Sequence, residues 1–109
     1  MDIVHLSLER RPATDPTPAG EVADAVDVLW AHAGPDDGLE HASGRAAPDR
    51  LDLLLYLRTG RAAAHHGGPS AEYRAAQLIA RCYRASHHLQ GRYLAPAPAS
   101  TTPPNQPPA

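Results

Sequence analysis

Between Arg50 and Arg58 leucine occupies every second position: Leu51, Leu53, Leu55 and Leu57 alternate with Asp52, Leu54, Tyr56 and Arg58. A period of two places alternate side chains on opposite sides of an extended strand. A helix would scatter the same leucines around its circumference. Residues 50–58 therefore predict a strand with one continuous leucine face. That face must be roofed by other parts of the same short chain.

The remaining pattern supplies the roof. Residues 2–10 predict a second strand, with Val4, Leu6 and Leu8 alternating with Ile3, His5, Ser7 and Glu9. Residues 11–17 read as a loop. A helix is expected from Pro18 to Ala33, capped by Thr17, with Pro18 at the first position, where a missing N–H costs nothing. Val22, Val26, Leu29 and Ala33 form its apolar stripe, and Glu21, Asp24 and Asp27 lie away from it. Gly34 and Pro35 stop it, and Asp36 to Gly38 form a turn. Residues 39–45 predict a weaker strand, because Ala42, Ser43 and Gly44 have low strand preference. After a loop over 59–69, Ser70 caps a helix from Ala71 to Ser86 whose apolar face is Ala75, Leu78, Ile79 and Cys82. Residues 89–95 read either as a short last strand or as an irregular lid.

This order, strand–helix–strand–strand–helix with an optional last strand, predicts a two-layer α+β domain over residues 1–95. Right-handed crossovers would put both helices on one face of an antiparallel sheet, the ferredoxin-like βαββα(β) arrangement. Residues 96–109 contain Pro, Ala, Ser and Thr with no large apolar side chain, and are expected to form a disordered tail.

Composition removes several chemistries. The chain has 109 residues and a net charge of −2, and it lacks Lys. Schiff-base and phosphate-loop lysines are excluded. No G-x-G-x-x-G is present, and Cys82 stands alone, so a dinucleotide fingerprint, an internal disulfide and a paired-cysteine zinc site are all missing. Met1 to His5 lack the basic start and apolar run of a secretory signal, and no run is long enough to span a membrane. A cytoplasmic location, with no membrane or nucleic-acid partner, is the expectation.

A two-layer fold leaves the other side of the sheet bare. Ile3, His5, Asp52, Leu54 and Tyr56 are the expected binding residues there, with Ser7 beside them and Arg58 at the rim. An exposed apolar patch of this kind often marks a partner surface. The competing readings are ordinary scattered surface residues, or a patch covered by Leu89, Tyr93 and Leu94 folding back.

The histidines support little chemistry. His65–His66 and His87–His88 are adjacent pairs without a metal-ligand spacing, so no metal or other cofactor is expected. His5, His41 and Asp52 could form an acid–base group if the strand at 39–45 puts His41 on the open face. No catalytic residue is assigned. Cys82 is expected to be an inert core thiol, and Trp30 core or core-edge packing. Arg74, Arg81, Arg84 and Arg92 read as a solvated face rather than a phosphate site.

The expected function is therefore that of a small non-enzymatic accessory protein. It would work through the open sheet face, as a homodimer or on another protein. The alternative is an enzyme. The element order is similar to that of dimeric α+β barrel proteins, such as the antibiotic-biosynthesis monooxygenase-like group. By that analogy, two sheets meeting face to face would enclose a pocket lined partly by His5, Leu54 and Tyr56.

Overall fold

The computed structural model describes residues 1–12, 20–59 and 70–96. Three strands, β1 (Asp2–Glu9), β2 (Leu39–Ala46) and β3 (Arg50–Leu57), form one antiparallel sheet in the order β1-β3-β2. Helix α1 (Glu21–His32) joins β1 to β2, and α2 (Ala71–Ala85) follows β3. A six-residue helix, α3 (His87–Arg92), ends the regular structure. The chain is thus α+β, with the leucine strand in the centre of the sheet. The expected tail beyond Pro96, Thr17, Pro18 and the His65–His66 loop lie outside the described residues.

The leucine face is roofed as its pattern requires. Leu51, Leu53, Leu55 and Leu57 are all fully buried. Cross-strand pairing sets Val4 against Leu55, Leu6 against Leu53 and Leu8 against Leu51. On the other flank, Ala42, Gly44 and Ala46 oppose Leu55, Leu53 and Leu51. These small side chains explain the low strand preference of this segment: α1 lies close over β2. A Cβ on Gly44 would sit 2.8 Å from the Asp52 carbonyl oxygen and 3.4 Å from Val22.

Helix α1 begins at Glu21, with Gly20 as its N-cap residue. Its buried line is Glu21, Ala25 and Leu29, while Val22 and Val26 are only partly buried. The expected stripe is therefore rotated by about one residue, and Glu21, expected on the wet side, is buried. Trp30 is also corrected: it is 47% exposed and stands outside the core. Helix α2 matches its expectation. Ser70 Oγ accepts from the Tyr73 N–H at 3.1 Å, and Ala75, Leu78, Ile79 and Cys82 are buried. Burial raises the Cys82 thiol to about 11, which suits an inert core residue.

Two arginines of α2 do not form the solvated face expected of them. Arg74 donates to the backbone carbonyls of Asp37 and Arg58, both at 3.1 Å. Arg81 donates to Asp37 Oδ2 at 2.5 Å and to the His32 carbonyl at 3.2 Å. Both hold the tight turn Pro35–Asp37 onto α2. That turn ends at Gly38, whose φ of 70° lies in the left-handed region that glycine enters at little cost.

Residues 89–95 are neither a strand nor a lid. Leu89 lies on α3, and both Leu89 and Tyr93 join the buried core; they do not cover the open face. After α3 the chain touches the outer edge of β1 through one antiparallel bridge, Arg10 to Tyr93.

Candidate functional site

The bare face is a lattice of three rows. Register places Ile3, Tyr56 and His41 in one row, His5, Leu54 and Ser43 in the next, and Ser7, Asp52 and Arg45 in the third. The bulge between Leu39 and His41 shifts the pairing so that Leu39 opposes Leu57 while His41 opposes Tyr56. His41 therefore shares the open face, and its ring lies 5.2 Å from that of Tyr56, tilted by 57°.

The first row is the more apolar end. Ile3 is 60% exposed, and Leu54, in the second row, is 37% exposed. The same alternation that buries the leucine face turns Ile3 and Leu54 outward.

The third row is polar and organised around Asp52. Ser7 Oγ donates to Asp52 Oδ1 at 2.6 Å. Arg50 Nε lies 3.1 and 3.2 Å from the two carboxylate oxygens, and His5 Nε2 is 3.4 Å from Oδ1. The Ser7 hydrogen bond, followed by the bond and charge of Arg50, holds the Asp52 carboxyl below the usual value against the opposing effect of desolvation. His5, Ser43, Gly44, Arg45, Asp52 and Leu54 line an open depression of about 320 Å³.

The expected acid–base group forms only in part. His5 meets Asp52, but His41 is two rows away beside Tyr56. Ser7 bonds to the carboxylate and not to the imidazole, so Ser7 is not activated by His5 in the manner of a serine hydrolase. Arg58 is turned aside, with Nη1 3.9 Å from Glu40 Oε1. Among the described residues no group of three His, Cys, Asp or Glu side chains converges to hold a metal ion. None of their helices is long and apolar enough to cross a membrane. Arg45 and Ser43 were hidden in the sequence because the register of β2 depends on the bulge.

A second polar cluster lies in the interior and was not legible. The Arg10 guanidinium faces Glu21 with two nitrogens, Nη1 on Oε1 and Nη2 on Oε2, the latter at 3.1 Å. Tyr93 Oη also donates to Oε1. Arg10 further donates to the carbonyls of Pro48 at 3.2 Å and Ala47 at 2.8 Å, and it lies 5.8 Å over the Tyr93 ring. This cluster ties together the end of β1, the β2–β3 turn, the start of α1 and the residue after α3. Burial alone would raise the Glu21 carboxyl. The hydrogen bonds from Arg10 and Tyr93, with the charges of Arg10 and Arg92, bring it below the usual range. Tyr93 is pushed up to about 12, by burial first and Glu21 second. With both charges buried and paired, the cluster is structural rather than a reactive site.

Comparison of the chain with protein-family models, with curated proteins and with solved structures gave no match.

Proposed function

We propose that this protein works by association through its bare sheet face, and that the occupant of the face is a second copy of the chain. The observation that supports this most is the lattice itself. Ile3, Tyr56, His41 and Leu54 form a contiguous apolar and aromatic strip on the side of the sheet away from the core.

The face is complementary to itself along its flanks, while on the axis the two Asp52 carboxylates would meet, each beside an Arg45. A two-fold axis parallel to β3 sets β1 of one copy over β2 of the other. Ile3 then meets His41, and Arg45 meets Ser7 beside Asp52. Among the described residues Arg45 makes no ion pair of its own, so a partner's carboxylate has a cation to meet. The strand order β1-β3-β2, with a bridge on the outer edge of β1, supports reading the sheet as ferredoxin-like with its fourth strand cut short.

The patch is small. Three strands spaced by ~4.8 Å and covered over about five residues at ~3.4 Å each give a face of roughly 14 by 17 Å. Such an area suits a weak contact, so association should be concentration-dependent. Sedimentation velocity on the full chain over a concentration series tests it. The wild type should sediment as a heavier species than Leu54→Arg, which places a charge in the middle of the strip. Equal masses at every concentration, with both chains folded by circular dichroism, would sink the proposal.

The depression beside His5 and Asp52 supports a second reading. Its size is within the lower range of small-ligand pockets, and a second copy would roof it. In that case the His5–Asp52 pair would serve as a general base for a small molecule. Ligand-dependent shifts of the His5 ring signals that vanish in Asp52→Asn would favour this reading.

A further inference from the structure

The outer edge of β1 carries the next inference. Tyr93 and Arg10 form one antiparallel pair, fixed by two bonds: Arg11 N–H to the Arg92 carbonyl at 2.9 Å, and Leu94 N–H to the Glu9 carbonyl at 2.8 Å. In antiparallel pairing the backbone groups of successive residues point alternately to either side of the strand. Arg10 N–H donates inward, to Asp49, at 2.9 Å. The backbone groups of Ile3, His5, Ser7 and Glu9 therefore point outward. Glu9 is taken by Leu94, and among the described residues Ile3, His5 and Ser7 have no outward backbone partner.

The chain's own next residues are badly suited to this edge. A strand continued past Leu94 in the same register would set residue 96 opposite Ser7 and residue 98 opposite His5. Both are proline, and in that register each would lack the N–H that donates to β1. A fourth strand continued in this register would thus lose its donors after its first bond.

From this we infer that the free edge of β1 pairs with β1 of a second copy. The two strands run antiparallel about a two-fold axis through His5. Only this register uses Ile3, His5 and Ser7 and spares Glu9. Ile3 pairs with Ser7 of the other copy, and His5 with its own counterpart. Each such pair exchanges two backbone hydrogen bonds. On the core side, the partly buried Leu6 gains Val4 of the other copy as a neighbour. The pairing runs from Ile3 to Ser7 and stops short of Glu9, whose outer edge Leu94 holds, so no acidic residues are set opposite each other. The strand itself lacks the Pro, Lys and bulge that commonly protect an exposed edge. The axis runs perpendicular to the sheet, so the product is one continuous sheet of twice the width with all helices behind it. The two bare faces become a single platform.

This pairing uses a different surface from the face-to-face contact, and the two can fail separately. The test is therefore made in the full-length Leu54→Arg background, where the face contact is removed. Sedimentation velocity should find that chain as a dimer at high concentration. Adding His5→Pro, which removes an outward N–H and no inward one, should halve the mass to a monomer. Adding His5→Ala, which keeps the N–H, should leave the dimer. Should His5→Pro fail to melt cooperatively, Pro96→Val with Pro98→Val answers in its place. It restores the missing donors to the chain's own segment, which then competes for the edge, and the expected result is again a monomer. A Leu54→Arg chain that is monomeric at the highest concentration overturns the inference. So does a folded proline variant, or the valine pair, that keeps the dimer mass.

Discussion

Glu21 and Asp52 are both carboxylates with several partners, and they differ in where water stands. Glu21 is buried, bound to Arg10 and Tyr93 at the junction of four segments. Asp52 is bound to Ser7, Arg50 and His5 on the open face. Removing a partner from a buried pair strands a desolvated charge, which costs about 3–5 kcal/mol. On the open face the Asp52 side chain keeps part of its surface in water, which replaces much of what is lost. The interior cluster therefore fixes the fold, and the exposed cluster is free to be used in recognition.

The largest expected effect follows from breaking the interior pair on one side only. Glu21→Ala leaves Arg10 buried and unpaired, and should lower the unfolding free energy by about 3–5 kcal/mol in urea denaturation. The joint change Arg10→Met with Glu21→Leu removes both charges and should recover most of that loss. If the double variant were as unstable as Glu21→Ala, the buried-charge explanation would fail.

Acid titration sharpens the same contrast. The Glu21 carboxyl is held lower in the folded chain than in the unfolded one. Its contribution is thus complete above the unfolded value of about 4.3 and declines as pH falls through the lower folded value. Thermal melts should show stability falling on acidification below about pH 4.3. That acid limb should be shallower in Arg10→Met/Glu21→Leu than in the wild type. Identical slopes would show that Glu21 is not the group responsible.

The smallest effect belongs to the open face. Asp52→Asn keeps the shape of the side chain and should leave the urea midpoint almost unchanged. A loss comparable to that of Glu21→Ala would erase the distinction between the two clusters.

Much of this was written in the periodicity. The leucine alternation of β3, the alternation of β1 and the cap and apolar face of α2 were legible because each depends on neighbours within a few residues. So was the outward direction of Ile3, His5, Asp52, Leu54 and Tyr56. The rest depends on partners distant in sequence. Glu21 is a charged residue beginning the buried line of α1, and only Arg10 and Tyr93, from other segments, make that tolerable. His41, Ser43 and Arg45 needed the bulge in β2. Leu89 and Tyr93 needed α3, a helix too short to announce itself by periodicity. The mismatch of Pro96 and Pro98 with a fourth strand follows only from the register of the Arg10–Tyr93 pair.

The most direct test of the proposed face is residue-level labelling as a function of concentration. Hydroxyl-radical footprinting read by mass spectrometry reports Tyr56, His41 and Leu54 on the face, and Trp30 on α1 as an internal reference. In dilute protein all four should react. On concentration, the three face residues should become protected while Trp30 stays reactive. Unchanged reactivity of Tyr56, His41 and Leu54, or protection of Trp30 in their place, would contradict the account.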